Sequence, residues 1–475
     1  MNLRLKAELL ALAALCAAAG CQTVDRARKA QQALAGATND VAAAAVRSES
    51  VNLRGSKLRD YVAFAVAHRP NLEASRLAVK QAKLALRSVS SDRALQMNLS
   101  GGYSQATHNS GPDREHFSWH QNRGNGTAAV SFDLLIYDFG RLDAREQAAR
   151  EDLIAAQRDL DDAELAVFNE VSQAYFSVLR NDALLEVART NEFIYAEHLK
   201  QSEQLFGVGE AKKLDVLKAR VDLSDARLET INASNNVVTA GAEFLRVLGL
   251  ENDCATRADV LEVAADRLAE ATPALPATTY DATAALQIAR TNAPALRVLR
   301  ARLRASMADV DYAVADLKPK VTLSSAFNFA DPAWNWTWGF QAVQSILDGF
   351  RKQTAVDQAV LAMKIARTSV ETAEQRLSYD LAVAAANRDN ARQSLETARV
   401  EVAQARENFE NVMMQYRVGD ASRLDFTDAA GTLASALGAR VKAFYSAEIA
   451  EAELVRLTGR DPWPQPAEPT LEDLK

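Results

Sequence analysis

Apolar positions along this chain follow two different periods. From Arg141 to Phe206, and again from Phe350 to Val418, they recur every third or fourth residue, as in the seam Leu160, Ala163, Val167, Val171, Ala174 and Val178. That spacing lays one stripe along a helix that packs against other helices. Neither stretch contains glycine or proline. Each therefore predicts one unbroken helix, about 100 Å long at 1.5 Å per residue. Elsewhere the period drops to two. Val321, Leu323, Ser325, Phe327 and Phe329 alternate with Thr322, Ser324, Ala326 and Asn328. After Asp331-Pro332, Trp334, Trp336, Trp338 and Phe340 alternate with Asn335, Thr337, Gly339 and Gln341, and Val130, Phe132, Leu134 and Ile136 repeat the pattern earlier. Strands are expected at 97–107, 127–137, 320–330 and 334–346. One face is apolar and aromatic, the other small and polar. A lipid-facing barrel has this pattern, with roughly ten residues per strand and aromatics for the interface. A soluble hairpin buried against a helix has it too, but four large aromatics in a row need an extensive apolar partner.

The chain is one unit written twice. Val208-Gly209-Glu210-Ala211 with Leu214-Asp215 recurs as Val418-Gly419-Asp420-Ala421 with Leu424-Asp425, an offset of 210. The same offset maps Asp138 and Arg141 onto Asp348 and Arg351, and Arg246 and Gly249 onto Arg456 and Gly459. Upstream, Pro70 pairs with Pro294 and Leu99-Ser100 with Leu323-Ser324, at an offset of 224. The 14 extra residues of the first copy lie between Tyr103 and Tyr137, in a polar stretch from Thr107 to Thr127. Each copy reads as a helix of some forty residues from near Ser56 or Tyr280, two strands, the long helix, a Val-Gly reversal and a returning helix that ends at Gly249 or Gly459.

Composition agrees with long helices. There are 19 glycines and 11 prolines in 475 residues, and proline is absent from Asp113 to Thr272 and from Ala333 to Asp461. A turn-rich all-β fold is excluded and an alternating α/β enzyme disfavoured. A net charge of −7 leaves no basic face for nucleic acid. The cysteines Cys16, Cys21 and Cys254 form no C-x-x-C pair, so neither a disulfide framework nor a structural metal is indicated. No nucleophile–base constellation suggests an enzyme, and no cofactor is implied. Residues 1–20 carry Arg4 and Lys6, an apolar run from Leu9, and Ala18-Ala19-Gly20 before Cys21. This resembles a bacterial lipoprotein signal, which implies export and lipidation of Cys21. The run is too short to span a membrane.

Four strands cannot enclose a pore, and an open edge in lipid leaves backbone groups unpaired. Three chains would supply twelve strands, so the count itself calls for a trimer. The duplicated helix–hairpin–long helix–helix unit, the junction Tyr137-Asp138-Phe139-Gly140-Arg141 and the Tyr416-Arg417-Val418-Gly419 then Leu424-Asp425 tip together resemble the TolC-type outer-membrane factors. The resemblance covers Ser56 to Gly459. It implies a mainly α fold with a β-barrel portion: a homotrimeric helical tunnel across the periplasm, continuous with a twelve-stranded outer-membrane barrel. The implied function is the passive exit duct of a tripartite efflux pump, the lipoprotein signal favouring efflux over type I secretion. A different class of reading is a coiled-coil scaffold anchored in the periplasm only by lipid at Cys21.

On that resemblance the segments are a signal (1–20), an N-terminal periplasmic segment (21–55), the first repeat (56–250), an equatorial linker (251–279), the second repeat (280–460) and a proline-rich tail (461–475). The reversals at Gly207, Val208 and Gly209 and at Val418 and Gly419 would dock a periplasmic adaptor (membrane fusion) protein, and through it an inner-membrane pump. Asp425 and Asp428, spaced i, i+3, share a helix face. In a trimer they would make two acidic rings at the inner constriction. The first repeat keeps Asp215 but has Lys218 at the second position. A solvated helix start, where acids complement the macrodipole, explains the same aspartates. Tyr416 would hydrogen-bond Asp215 across helices. Where the family often has an arginine just after the tip glycine, this chain has Ala421, with Arg423 nearby. Trp334, Trp336, Trp338 and Phe340 would form an aromatic band in outer-membrane lipid.

Overall fold

A computed structural model describes residues 57–104, 107–109, 119–121, 125–209, 212–250, 282–330, 333–418 and 420–459, with the short stretches 26–29 and 31–32. The expectations for the 1–20 signal and Cys21, for the 251–279 linker, for Gly419 and for the 461–475 tail lie outside the described residues.

The first helix of each repeat is a broken pair. α1 (Leu58–His68) is followed by α2 (Pro70–Ser91), and in the second repeat α5 (Ala282–Asn292) by α6 (Pro294–Ala315). Proline lacks the N–H that would continue the ladder and pushes its predecessor out of the helical region. Arg69 is accordingly extended, at φ −70° and ψ 127°. Between these pairs come β1 (Gln96–Ser104), the short ribbon β2 (Thr107–Asn109) and β3 (Trp119–Gln121), β4 (Asn125–Tyr137), the 67-residue α3 (Arg141–Gly207) and α4 (Lys213–Leu248). The second repeat continues with β5 (Lys320–Ala330), β6 (Ala333–Val343), the 68-residue α7 (Arg351–Val418) and α8 (Arg423–Thr458). The ribbon accounts for part of the 14 extra residues of the first repeat.

Two compact units cut across the repeats. One holds Lys80–Ile154 and Ala301–Arg367, and so all the strands. Its four long strands form an antiparallel sheet in the order β1-β4-β5-β6, with the two repeats joined through β4 and β5. The register settles the alternation. Leu99 pairs with Val130, Val130 with Phe327, and Phe327 with Trp336, so Met97, Leu99, Val130, Phe132, Leu134, Leu323, Phe327, Trp336 and their i±2 neighbours share one face. At each strand-to-helix junction an aspartate precedes two successive left-handed residues: Phe139 and Gly140 at φ 57° and 84°, Gly349 and Phe350 at 67° and 65°. The aspartates hold these turns as helix caps. Asp138 accepts from the Leu142 N–H at 2.7 Å and Asp348 from the Lys352 N–H at 3.3 Å. Next to them Arg141 donates to Asp316 at 2.9 Å.

The other unit holds Ser48–Val79, Ala155–Arg300 and Thr368–Lys475. Its core clusters Tyr61, Leu72, Val171, Phe176, Val178, Phe244, Leu245 and Leu248. Four positions of the expected α3 seam, Val167, Val171, Ala174 and Val178, are buried there, with Leu160 and Ala163 packed alongside. Both returning helices end on a left-handed glycine, Gly249 at φ 80° and Gly459 at φ 61°. Each glycine sits against the proline break of its own repeat. A Cβ on Gly249 would lie 3.7 Å from the Arg69 side chain, and one on Gly459 only 2.8 Å from the Asn292 carbonyl oxygen. The end of each repeat is thus seated on its beginning.

Candidate functional site: the two helix reversals and the aromatic strand face

The first reversal ends α3 at Gly207 and turns through Val208 and Gly209, the latter at φ 83°. Only glycine adopts that conformation without strain. α4 then starts with the Asp215 carboxylate accepting the Lys212 N–H at 3.3 Å. Its apolar side chains have little to pack on: Val208 is 73% exposed, and Phe206, Leu214 and Leu217 are exposed too. Val216 is the buried exception.

The second reversal is built differently. Asp420 N–H returns to the Gln415 carbonyl at 2.9 Å, and α8 opens on a reciprocal cap. Ser422 Oγ accepts from the Asp425 N–H at 3.3 Å, while the Asp425 carboxylate accepts from the Ser422 N–H at 2.9 Å and its hydroxyl at 2.7 Å. Those bonds hold the Asp425 carboxyl below the usual carboxylate range. Val418 and Leu424 are exposed, but Phe426, Ala429, Ala430 and Leu433 are buried with Val402, Ala405 and Phe409 of α7. Asp425 and Asp428 both face solvent.

Repeat one supplies the other wall of this cluster. Ile194 and Tyr195 of α3 pack on it, and the Tyr195 hydroxyl donates to the Thr427 carbonyl at 3.4 Å. Buried His198 of α3 lies 3.0 Å through Nε2 from the Tyr416 hydroxyl and stacks on Phe426, with centroids 4.7 Å apart and planes at 14°. Arg423 of α8 pairs with Asp222 of α4 at 2.8 Å. One expected pairing changes here. Tyr416 meets His198 rather than Asp215, because the Asp215 carboxylate caps its own helix while the α3 imidazole sits beside the phenol. A cross-helix ion pair exists despite Ala421, supplied by Arg423 two residues later.

Sequence reasoning missed His198 and Asp222 as partners of the tip. A signal for the histidine was present: the α3 seam continued by threes and fours past Val178 runs through Asp182, Leu185, Ala188, Asn191, Tyr195, His198 and Ser202. Asn191, His198 and Ser202 are buried polar residues on a packing stripe. Buried polar groups on a packing stripe point to partners across the interface.

On β6, Trp334, Trp336, Trp338 and Phe340 are all exposed on the shared apolar face. Trp336 stacks on Phe327, with centroids 5.4 Å apart and planes at 6°, and its Nε1 donates to Ser325 Oγ at 2.9 Å. Among the described residues β1 and β6 each have one neighbouring strand, so the sheet has two open edges. No described helix is long and apolar enough to cross a membrane.

A four-stranded sheet with open edges and one apolar face, continued by paired long helices, is the protomer fold of outer-membrane channel proteins. VceC from Vibrio cholerae superposes with a TM-score of 0.71 over 85% of this chain and 96% of that one, at 17% identity. CusC gives 0.74 over 85% and 92%, at 18% identity. The family model described as "Outer membrane efflux protein" matches residues 63–250 and 285–460, so its two matched segments follow the two repeats. The chain belongs to that family and is an outer-membrane efflux duct. In sequence it is similar to the antibiotic efflux pump outer membrane protein ArpC of Pseudomonas putida, 25% identical over 70% of this chain and 68% of that protein. It is also similar to the outer membrane efflux protein BepC of Brucella suis, 22% identical over 71% and 73%.

Proposed function

We propose that three copies of this chain close β1 of one onto β6 of the next, making a twelve-stranded barrel whose aromatic face, with Trp334, Trp336, Trp338 and Phe340, lies in lipid. The observation that carries this is the sheet itself. Its two open edges cannot exist in hydrocarbon, and four strands are too few to surround a lumen. The helices continue the duct into the periplasm. The reversals at 207–209 and 418–419 form its inner end, where exposed Val208 and Val418 meet an adaptor protein coupled to an inner-membrane pump. Asp425 and Asp428 contribute carboxylate rings there that favour cations and narrow the opening. Cys21 carries lipid, and 251–279 forms a belt around the tunnel. Transport through the duct is passive; the pump supplies the energy, and the cargo is a small molecule as in the relatives named for antibiotic and toluene efflux.

The test uses the full-length protein. It is expected in outer-membrane fractions as a heat-dissociable trimer that forms conducting channels in planar bilayers. Asp425→Ala with Asp428→Ala should raise conductance severalfold and weaken cation block. A soluble monomer, or a membrane protein without conductance, overturns the duct reading; channels unaltered by the double change overturn the acidic gate alone.

A further inference from the structure

Among the described residues, the second reversal meets the other half of the chain through a titratable group, His198 of α3. His198 is 2% exposed. Its ring is held by the Tyr416 hydroxyl on α7 and by the Phe426 ring on α8. Its Nδ1 is buried and has no hydrogen-bond partner among the described residues. A neutral imidazole tolerates this, since one nitrogen meets Tyr416 and the other is at worst an unmade bond. An imidazolium cannot. Both its nitrogens are donors, the Tyr416 oxygen can receive one, and the second N–H would carry positive charge into an apolar stack.

The surrounding charges do not rescue it. From α4 comes the Asp222 carboxylate, which favours the cation, and from α8 the Arg423 guanidinium, which opposes it. The two are paired with each other at 2.8 Å, so their fields on the ring largely cancel. From α7 comes the Tyr416 phenol and from α3 itself the Tyr195 phenol, whose ionisation burial pushes above its ordinary range. Burial is the leading influence and holds the imidazole below its ordinary range. At the corresponding place in the other half, 210 residues on, Asn408 is exposed, and the first reversal offers Phe206 and Val216 where the second has Tyr416 and Phe426. His198 therefore has no counterpart at the matching place in the second half.

We propose that His198 is an acid-sensitive latch, a positioning residue that holds the second reversal against α3 while neutral and releases it when protonated, so that the duct opens more readily as the periplasm acidifies. This rests on the reading that the reversals form the inner end of the duct. The sign follows from linkage. The released state, with an ordinary imidazole, binds the proton more strongly than the latched one. Latching is therefore complete above about pH 6.5 and weakens below it by at most tenfold per pH unit for each chain, until the depressed value of the latched state is reached.

The test is planar-bilayer recording of full-length protein with the helical end held at pH 7.5 and then 5.5. Wild type should show open probability or conductance rising severalfold on acidification. His198→Gln keeps a hydrogen-bonding atom for Tyr416 but takes up no proton, and should stay at the pH 7.5 level throughout. Tyr416→Phe should raise opening at pH 7.5 while preserving a response to acid; should the glutamine variant not assemble, this variant and the wild-type profile decide. Channels that conduct but are indifferent to pH overturn the latch and leave the duct reading standing, as does an acid response undiminished in His198→Gln. Absence of any conductance refutes the duct itself.

Discussion

The two helix reversals share in sequence the same Val-Gly pair, the same Leu-Asp pair after it and the same place in the repeat, yet among the described residues the second is integrated into a packed cluster and the first is not. The first carries Phe206, Val208, Leu214 and Leu217 out to solvent; the second buries Phe426 between Phe409, Tyr416 and His198 and pins Arg423 to Asp222. Duplication thus repeated the sequence of the reversal and let the side chains diverge, so that the second tip is packed and the first exposed.

The sharpest test of that difference is truncation of the matched residues Phe426 and Val216. Phe426→Ala removes a ring that touches three others, at a cost of about 3–5 kcal/mol to the tip. Val216→Ala removes two methyl groups from a small contact, at about 1–2 kcal/mol. Hydrogen exchange of peptides covering 409–430 and 206–222 should report this as a loss of protection of a hundredfold or more at the second tip against roughly tenfold at the first, since about 1.4 kcal/mol is a factor of ten. Equal losses would mean that the two tips are equivalent.

A second contrast lies at the other end of the returning helices. Gly249 and Gly459 are both left-handed, so alanine strains either by about 1–2 kcal/mol. At Gly249 the new methyl finds ordinary contact distance to Arg69, whereas at Gly459 it would lie 2.8 Å from the carbonyl oxygen of Asn292, a backbone atom. Relief there requires moving α8 or the break before Pro294, adding about 1–3 kcal/mol. Thermal dissociation of the assembled protein should fall further for Gly459→Ala than for Gly249→Ala. The reverse order would show that the seat of the second repeat is soft.

Much of this was legible in the sequence, for identifiable reasons. The helices, strands and glycine caps follow from local period and from breakers whose conformational demands are local, and so does the break at each proline. The offsets of 224 and then 210 imply that β5 and β6 repeat the first hairpin. The partners of the second tip did not follow, because they are set by packing across 218 residues between His198 and Tyr416 and 201 between Asp222 and Arg423. No local rule assigns such pairs. Family likeness points Tyr416 toward Asp215; in this chain the carboxylate accepts from the Lys212 N–H at its own helix start, and the phenol meets the histidine on the α3 seam.

The smallest difference between the tips is in their caps, and it bears on how Asp425 should be read. Lys212 at the start of α4 contributes no side-chain acceptor, whereas Ser422 at the start of α8 exchanges bonds with Asp425 in both directions. Ser422→Ala should therefore cost about 1 kcal/mol of local stability at the second tip, and Lys212→Ala almost nothing. The same bonds depress the Asp425 carboxyl. A depressed acid stabilises the folded tip above its unfolded value of about 3.9 and loses that contribution as pH falls through its lower folded value. The cap is thus intact across the whole range in which His198 titrates, and the two acid responses are separable. Carboxyl chemical shifts followed by NMR should place the Asp425 midpoint below that of a free aspartate, and Ser422→Ala should move it upward. An Asp425 that titrates normally and ignores the serine is not held by the cap, and its carboxylate is then free to serve the acidic ring alone.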